Sequence, residues 1–188
     1  MAYEVEIKAH AYPELKEVID SYVKCEGHPV EKDDTYYAFP GDITPRFRIR
    51  DEGDKLLITA KKNHREEGIE CNKELEFVHE NRGDKPIMEE MADMLGYKVF
   101  IKKHKKGWEW HYGPVHIELL DVLHLGWYLE METISPYSNI EENRERVAAL
   151  YMILEGVGLS ACDVESNSYQ KMLADYEKKH QGSDKEKA

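Results

Sequence analysis

The sequence predicts an α+β domain built mainly from antiparallel strands, with helices packed beside them. Three observations carry that reading. Short stretches that alternate polar and apolar residues recur along the 188-residue chain, and a period of two marks a strand with one buried face. Turn-forming residues separate several of these stretches. Four other segments repeat their apolar residues at helical spacing instead.

The first strand spans 3–9, with Glu4, Glu6 and Lys8 on one face and Val5 and Ile7 on the other. Pro13 opens a helix whose stripe is Leu15, Val18, Ile19, Tyr22 and Val23. Strands follow at 34–39, 45–51, 54–61 and 69–79, with Asp51-Glu52-Gly53-Asp54 closing one hairpin. The polar loop from Asn63 to Gly68 is expected to be a mobile surface segment. Pro86 opens a second helix carrying Ile87, Met91, Met94 and Leu95, ended by Gly96.

Four strands come next, at 97–106, 108–113, 115–122 and 127–134, with breaks at Gly107 and at Gly113-Pro114. Ser138-Asn139-Ile140-Glu141 has the form of a capping box before a helix with Ile140, Val147, Leu150, Tyr151 and Leu154. A last helix, Ser168 to about His180, carries Tyr169, Met172, Leu173 and Tyr176. The Met and Tyr stripes read as packing. Residues 1–180 thus form one domain with no internal linker or repeat, and 181–188, small and polar, are expected to be a disordered tail.

The net charge of -12 argues against nucleic-acid binding, which needs a basic face. A small anion in a locally basic cleft is still admitted. No apolar run is long enough to span a bilayer, and the N-terminus lacks a signal-peptide layout, so a cytoplasmic protein without membrane contact is expected. Cys25, Cys71 and Cys162 are scattered and odd in number, as reduced thiols are. His10, His28, His64 and His180 read as surface residues, and no histidine stands at a zinc-ligand spacing. A homodimer is the default expectation for a small enzyme.

Five strands carry charges at i, i+2 backed by apolar residues: Glu4, Glu6 and Lys8; Arg46, Arg48 and Arg50; Glu74 and Glu76; Lys103 and Lys105; Glu130 and Glu132. Such a face can lie in water on an open antiparallel sheet. It can equally become the lumen of a closed barrel, where the charges must be paired, hydrated or bound to ions. Converging Arg and Lys side chains suit a polyphosphate. Facing acids suit Mg²⁺ or Mn²⁺. Positioning and charge stabilisation would then carry phosphoryl or nucleotidyl transfer. No Ser/His pair or Walker-type loop is present.

These residues resemble the CYTH family, which joins class IV adenylyl cyclases with thiamine-triphosphatases and related triphosphatases. Glu4, Glu6 and Lys8 complete its ExExK motif, and Arg46-Phe47-Arg48-Ile49-Arg50 is similar to its basic strand. Ile58-Thr59-Ala60-Lys61, Lys73-Glu74-Leu75-Glu76, Lys103-His104-Lys105 and the segment Leu125 to Glu132 follow its pattern, and Ser168-Tyr169 is similar to the cyclase-like branch. The resemblance implies an eight-stranded antiparallel tunnel, open at both ends, with helices outside.

It also implies a triphosphate site at Lys8, Arg48, Arg50, Lys61, Lys103 and Lys105, with Arg46 on the same basic strand. Metal ligands would be Glu4, Glu6, Glu130 and Glu132, with Glu74 and Glu76 in the acidic wall. Lys105 replaces the usual arginine. The family aspartate falls at Leu120, with Asp121 displaced by one; Asp121 or Glu118 would substitute in the catalytic machinery. The expected function is a Mg²⁺- or Mn²⁺-dependent, class IV adenylyl cyclase-like conversion of ATP to cyclic AMP and pyrophosphate. The alternatives are hydrolysis of inorganic or thiamine triphosphate, and a non-catalytic triphosphate- or polyphosphate-binding module.

Overall fold

A computed structural model describes residues 3–62, 65–66 and 68–184. Asn63, His64 and Glu67 lie outside the described residues, as does 185–188. The expected mobile loop, the surface position of His64 and the end of the tail therefore fall partly or wholly there.

The elements in chain order are β1 (Tyr3–His10), α1 (Leu15–Val23), β2 (His28–Ala38), β3 (Phe47–Asp51), β4 (Leu56–Lys62), β5 (Arg65–Glu66), β6 (Ile69–His79), α2 (Lys85–Met94), β7 (Lys98–Tyr112), β8 (Val115–Val122), β9 (Gly126–Ser135), α3 (Arg144–Gly156) and α4 (Tyr169–Asp184). The strands run in the order β1-β9-β8-β7-β2-β3-β4-β6, and β6 pairs back onto β1. The result is a closed eight-stranded antiparallel barrel, with β5 a two-residue addition to β6. Closure leaves the barrel's own strands without a free edge.

Alternation decides what the barrel contains. Val5, Ile7, Ile117, Leu119, Leu129 and Met131 point outward and pack, fully buried, with Leu15 and Ile19 of α1 and Leu150 and Leu154 of α3. The intervening residues, charged in most strands, point into the lumen. At one end the inward residues turn apolar. There α4 lays Tyr169 and Met172 against Leu120, Val122 and Tyr128, and Leu173 against Tyr36 and Ile101. The expected tunnel therefore has a helix over one of its mouths.

Four sequence expectations are corrected. Gly107 does not end a strand: β7 runs through it, opposite Leu120, because the backbones approach so closely that a Cβ there would lie 1.9 Å from the Leu119 carbonyl oxygen. Strand β2 begins at His28, six residues earlier than the alternation suggested, because the charge run Glu31 to Asp34 hides its pattern. The stripe Ile87, Met91, Met94 and Leu95 of α2 faces out; Ala92 is the buried residue, packed with Met88 over Tyr37 and Ile49. Stacked Tyr37 and Phe47, with Tyr97 edge-on, already cover that wall. The turn before α3 is capped one residue late, with the Glu142 amide donating to Asn139 Oδ1 at 2.9 Å.

Candidate active site

A cavity of about 1160 Å³ occupies the lumen, and most of its lining is charged. Glu4, Glu6, Lys8, Arg48, Arg50, Lys61, Glu74, Glu76, Lys103, Lys105, Glu118, Glu130 and Glu132 all line it, as alternation along seven strands requires. Arg46 stands just before β3, exposed at the rim, where Asp42 holds it by two hydrogen bonds of 2.7 and 2.8 Å. Asp121 does not line the cavity; it lies opposite Lys106 and Trp127 on the outward face of β8. Leu120, fully buried, takes the inward position.

The cations gather round a carboxylate that the sequence reading did not single out. Asp34 of β2, 1% exposed, accepts from Arg50 Nε at 2.7 Å and Nη2 at 3.2 Å. Lys103 Nζ lies 3.1 Å and Arg48 Nη1 3.8 Å from the same carboxylate. Burial works to protonate Asp34, but Arg50, Lys103 and Arg48 outweigh it and hold the carboxyl well below its ordinary range. Arg48 also donates to Thr59 Oγ1 at 2.9 Å, while its buried Nε has no hydrogen-bond partner. On the α4 side, the Lys8 and Lys103 ammoniums stand 4.3 and 4.7 Å from the centre of the Tyr169 ring.

A second group is acidic. Lys61 Nζ bonds Glu4 at 2.7 Å, Glu74 at 2.8 Å and Glu6 at 3.4 Å. Oxygens of Glu4, Glu6 and Glu132 all lie within 4.8 Å of one another. Burial is the main force raising the Glu4 and Glu6 carboxyls; their acidic neighbours add to it and Lys61 opposes. Glu130, expected beside these acids, is instead engaged by Lys105 at 3.0 Å. Burial resists ionisation there, but Lys105 prevails and holds the Glu130 carboxyl down at about 2. Its Oε1 has no hydrogen-bond partner. Lys105 also reaches Glu118 at 3.3 Å, and Lys32 bonds Glu118 from β2.

A third group joins β7, β8 and β9. His116 places Nε2 3.0 Å from Glu109 and Nδ1 3.2 Å from Glu132. Burial favours the neutral ring, yet the surrounding carboxylates raise its pKa. Lys32, Glu109 and His116 are lining residues that sequence reasoning missed, and it also missed Asp34, which is buried among the cations. For His116 a signal was present: it shares parity with Glu118. For Lys32 the strand start was misplaced; Asp34 opened the expected strand 34–39, but its parity with Tyr36 went unused.

A CYTH domain model matches residues 2–169. No protein of curated function matches by sequence. A conserved hypothetical protein from Pyrococcus furiosus is similar in structure, at 27% identity and TM-score 0.74, over 89% of this chain and 98% of its own. A candidate adenylate cyclase from Vibrio parahaemolyticus matches at 18% identity and TM-score 0.74, over 92% of this chain and 98% of that one. A candidate adenylyl cyclase from Hippeastrum with a dominant triphosphatase activity matches at 15% identity and TM-score 0.60, covering 92% and 94%. At those two identities the likeness extends to the fold.

Proposed function

The chain belongs to the CYTH family, and from that premise we propose a metal-dependent enzyme that hydrolyses the terminal phosphoanhydride of a triphosphate. One observation carries the reading: Lys8, Arg48, Arg50 and Lys103 converge on the cavity that also holds the acids, and buried Arg48 Nε is a donor without a partner. A phosphate oxygen supplies what that N–H lacks.

Glu4, Glu6 and Glu132 fit a hard divalent ion, Mg²⁺ or Mn²⁺. They are an all-oxygen set whose donor atoms lie within 4.8 Å of one another, and a cation would offset both the burial that chiefly raises Glu4 and Glu6 and the acidic neighbours that add to it. When bound, such an ion supplies charge neutralisation at the phosphate oxygens.

The remaining chemistry belongs to the side chains. Asp34 fixes the Arg50 fork, leaving the rest of its guanidinium and that of Arg48 to bind phosphate oxygens. Lys8 and Lys103 neutralise further oxygens. In hydrolysis a water oxygen attacks the terminal phosphorus, the bridging P–O bond breaks, and its electron pair leaves on the diphosphate. The cation group stabilises that growing charge.

Hydrolysis is favoured over cyclisation by β8, which presents Leu120 and Val122 to the lumen and turns Asp121 away. Cyclic AMP formation is the second reading, supported by Tyr169 of the Ser168-Tyr169 segment, which lies against Lys8 and Lys103. Incubation with ATP, tripolyphosphate or thiamine triphosphate under Mg²⁺ and under Mn²⁺ separates them. Orthophosphate release supports hydrolysis; cyclic AMP with pyrophosphate supports the second reading. Tight binding without product would reduce the protein to a binding module.

A further inference from the structure

We propose that Glu109, His116 and Glu118 form a second divalent-ion site, selective for a borderline transition ion such as Zn²⁺ and separate from the oxygen-only set of Glu4, Glu6 and Glu132. The three residues come from adjacent strands, with Glu109 of β7 directly opposite Glu118 of β8 and His116 two residues before it. One donor atom of each lies within 4.8 Å of the others. Ligands 2.0–2.2 Å from one zinc ion stand roughly 3–4 Å apart, so a modest tightening of rotamers completes the site.

The contacts of His116 define a position where a cation fits. Both ring nitrogens face carboxylate oxygens, Nε2 at 3.0 Å from Glu109 and Nδ1 at 3.2 Å from Glu132. A neutral imidazole has a single N–H. With Nδ1–H donating to Glu132, the Nε2 lone pair faces a Glu109 lone pair, and a proton or a metal ion between them makes that contact attractive; Zn²⁺ and H⁺ compete for that one position. A carboxylate behind the far nitrogen of a ligating histidine is a recurrent arrangement that fixes the tautomer. Here that carboxylate is Glu132, so the same residue serves one centre as ligand and orients the imidazole of the other.

The donor set determines the kind of ion. Imidazole suits zinc and its transition-metal neighbours, whereas an all-carboxylate set suits magnesium or manganese. Lys32 and Lys105 already share Glu118, so an incoming ion competes with two ammonium groups for that carboxylate. All three ligands line the cavity, so remaining coordination positions open onto it. This site does not depend on which triphosphate reaction takes place.

The test is NMR of the histidine side chains of the full chain, titrated with ZnCl₂ in excess MgCl₂. A C25S/C162S background removes the two exposed thiols. The His116 signals, identified by their loss in H116Q, should move to a single tautomer with Nε2 metallated at one equivalent. E109Q, which keeps the side chain's shape, should weaken that transition by more than about tenfold, and E6Q should leave it in place. Circular dichroism confirms that each variant folds. The proposal is overturned if only other histidines respond, if His116 responds to pH but not to Zn²⁺, or if E109Q binds as the parent does. Loss of triphosphate turnover with this Zn²⁺ transition intact would instead count against the proposed function.

Discussion

Replacing Asp34 by Asn probes the keystone of the cation group. The substitution keeps shape and removes one buried negative charge, leaving Arg50, Lys103 and Arg48, now 2.7, 3.1 and 3.8 Å from it, without their shared counter-ion. Breaking a buried ion pair from one side costs about 3–5 kcal/mol. The cavity hydrates the freed cations in part, which places the expected loss in the lower half of that range, about 3–4 kcal/mol.

The pH dependence has a definite sign. The folded pKa of Asp34 lies well below its ordinary value, so its contribution is fully present above the unfolded pKa, about 3.9, and lost as pH falls through the folded value. Urea unfolding of both proteins should show a constant gap between pH 5 and 8 that narrows below about pH 4. A loss under about 1 kcal/mol at neutral pH, or a gap that widens on acidification, would refute the assignment of Asp34 as counter-ion to the group.

Other perturbations test other parts. Arg48→Ala should weaken tripolyphosphate binding by about 1.5–3 kcal/mol, roughly ten- to 150-fold, in calorimetry; an unchanged Kd removes Arg48 from the cradle. Mn²⁺ at a hundredfold excess over its Kd should stabilise the parent by about 2.7 kcal/mol, and Glu6→Gln should lose most of that increment in denaturant melts. An equal increment in both proteins excludes Glu6 as a ligand. Gly107→Ala drives a Cβ to 1.9 Å from the Leu119 carbonyl oxygen and should cost about 1–3 kcal/mol or more. An unmoved urea midpoint would mean that β7 and β8 do not approach so closely.

Much of this was legible in the sequence, because a barrel writes its inside and outside as alternate residues. Glu4, Glu6, Lys8, Arg48, Arg50, Lys103 and Lys105 could be assigned to strand faces from parity alone, and each lines the cavity. What parity cannot show is which charge meets which across the lumen. Glu130 was grouped with Glu132 because both lie on β9, yet Lys105 from β7 claims it. Asp34 was hidden where consecutive charges blur the period of two. The outward stripe of α2 shows the opposite failure, since helical spacing reveals a face without saying what covers it.

The barrel closes where β1 lies between β6 and β9, with Glu6 opposite both Glu70 and Glu132. The first of the barrel's strands in chain order is therefore among the last to acquire both its neighbours. Non-local pairing of this kind makes for slow folding, in the range of milliseconds to seconds. During that interval the apolar back of β1, Val5 and Ile7, has nothing to rest on, and the partly built sheet still has an edge. The strand that brings the first acids and the first lysine to the site thus also completes it: the cation group on β7, β2 and β3 can assemble earlier, but Glu4, Glu6 and Lys8 take their places only when β6 and β9 flank β1.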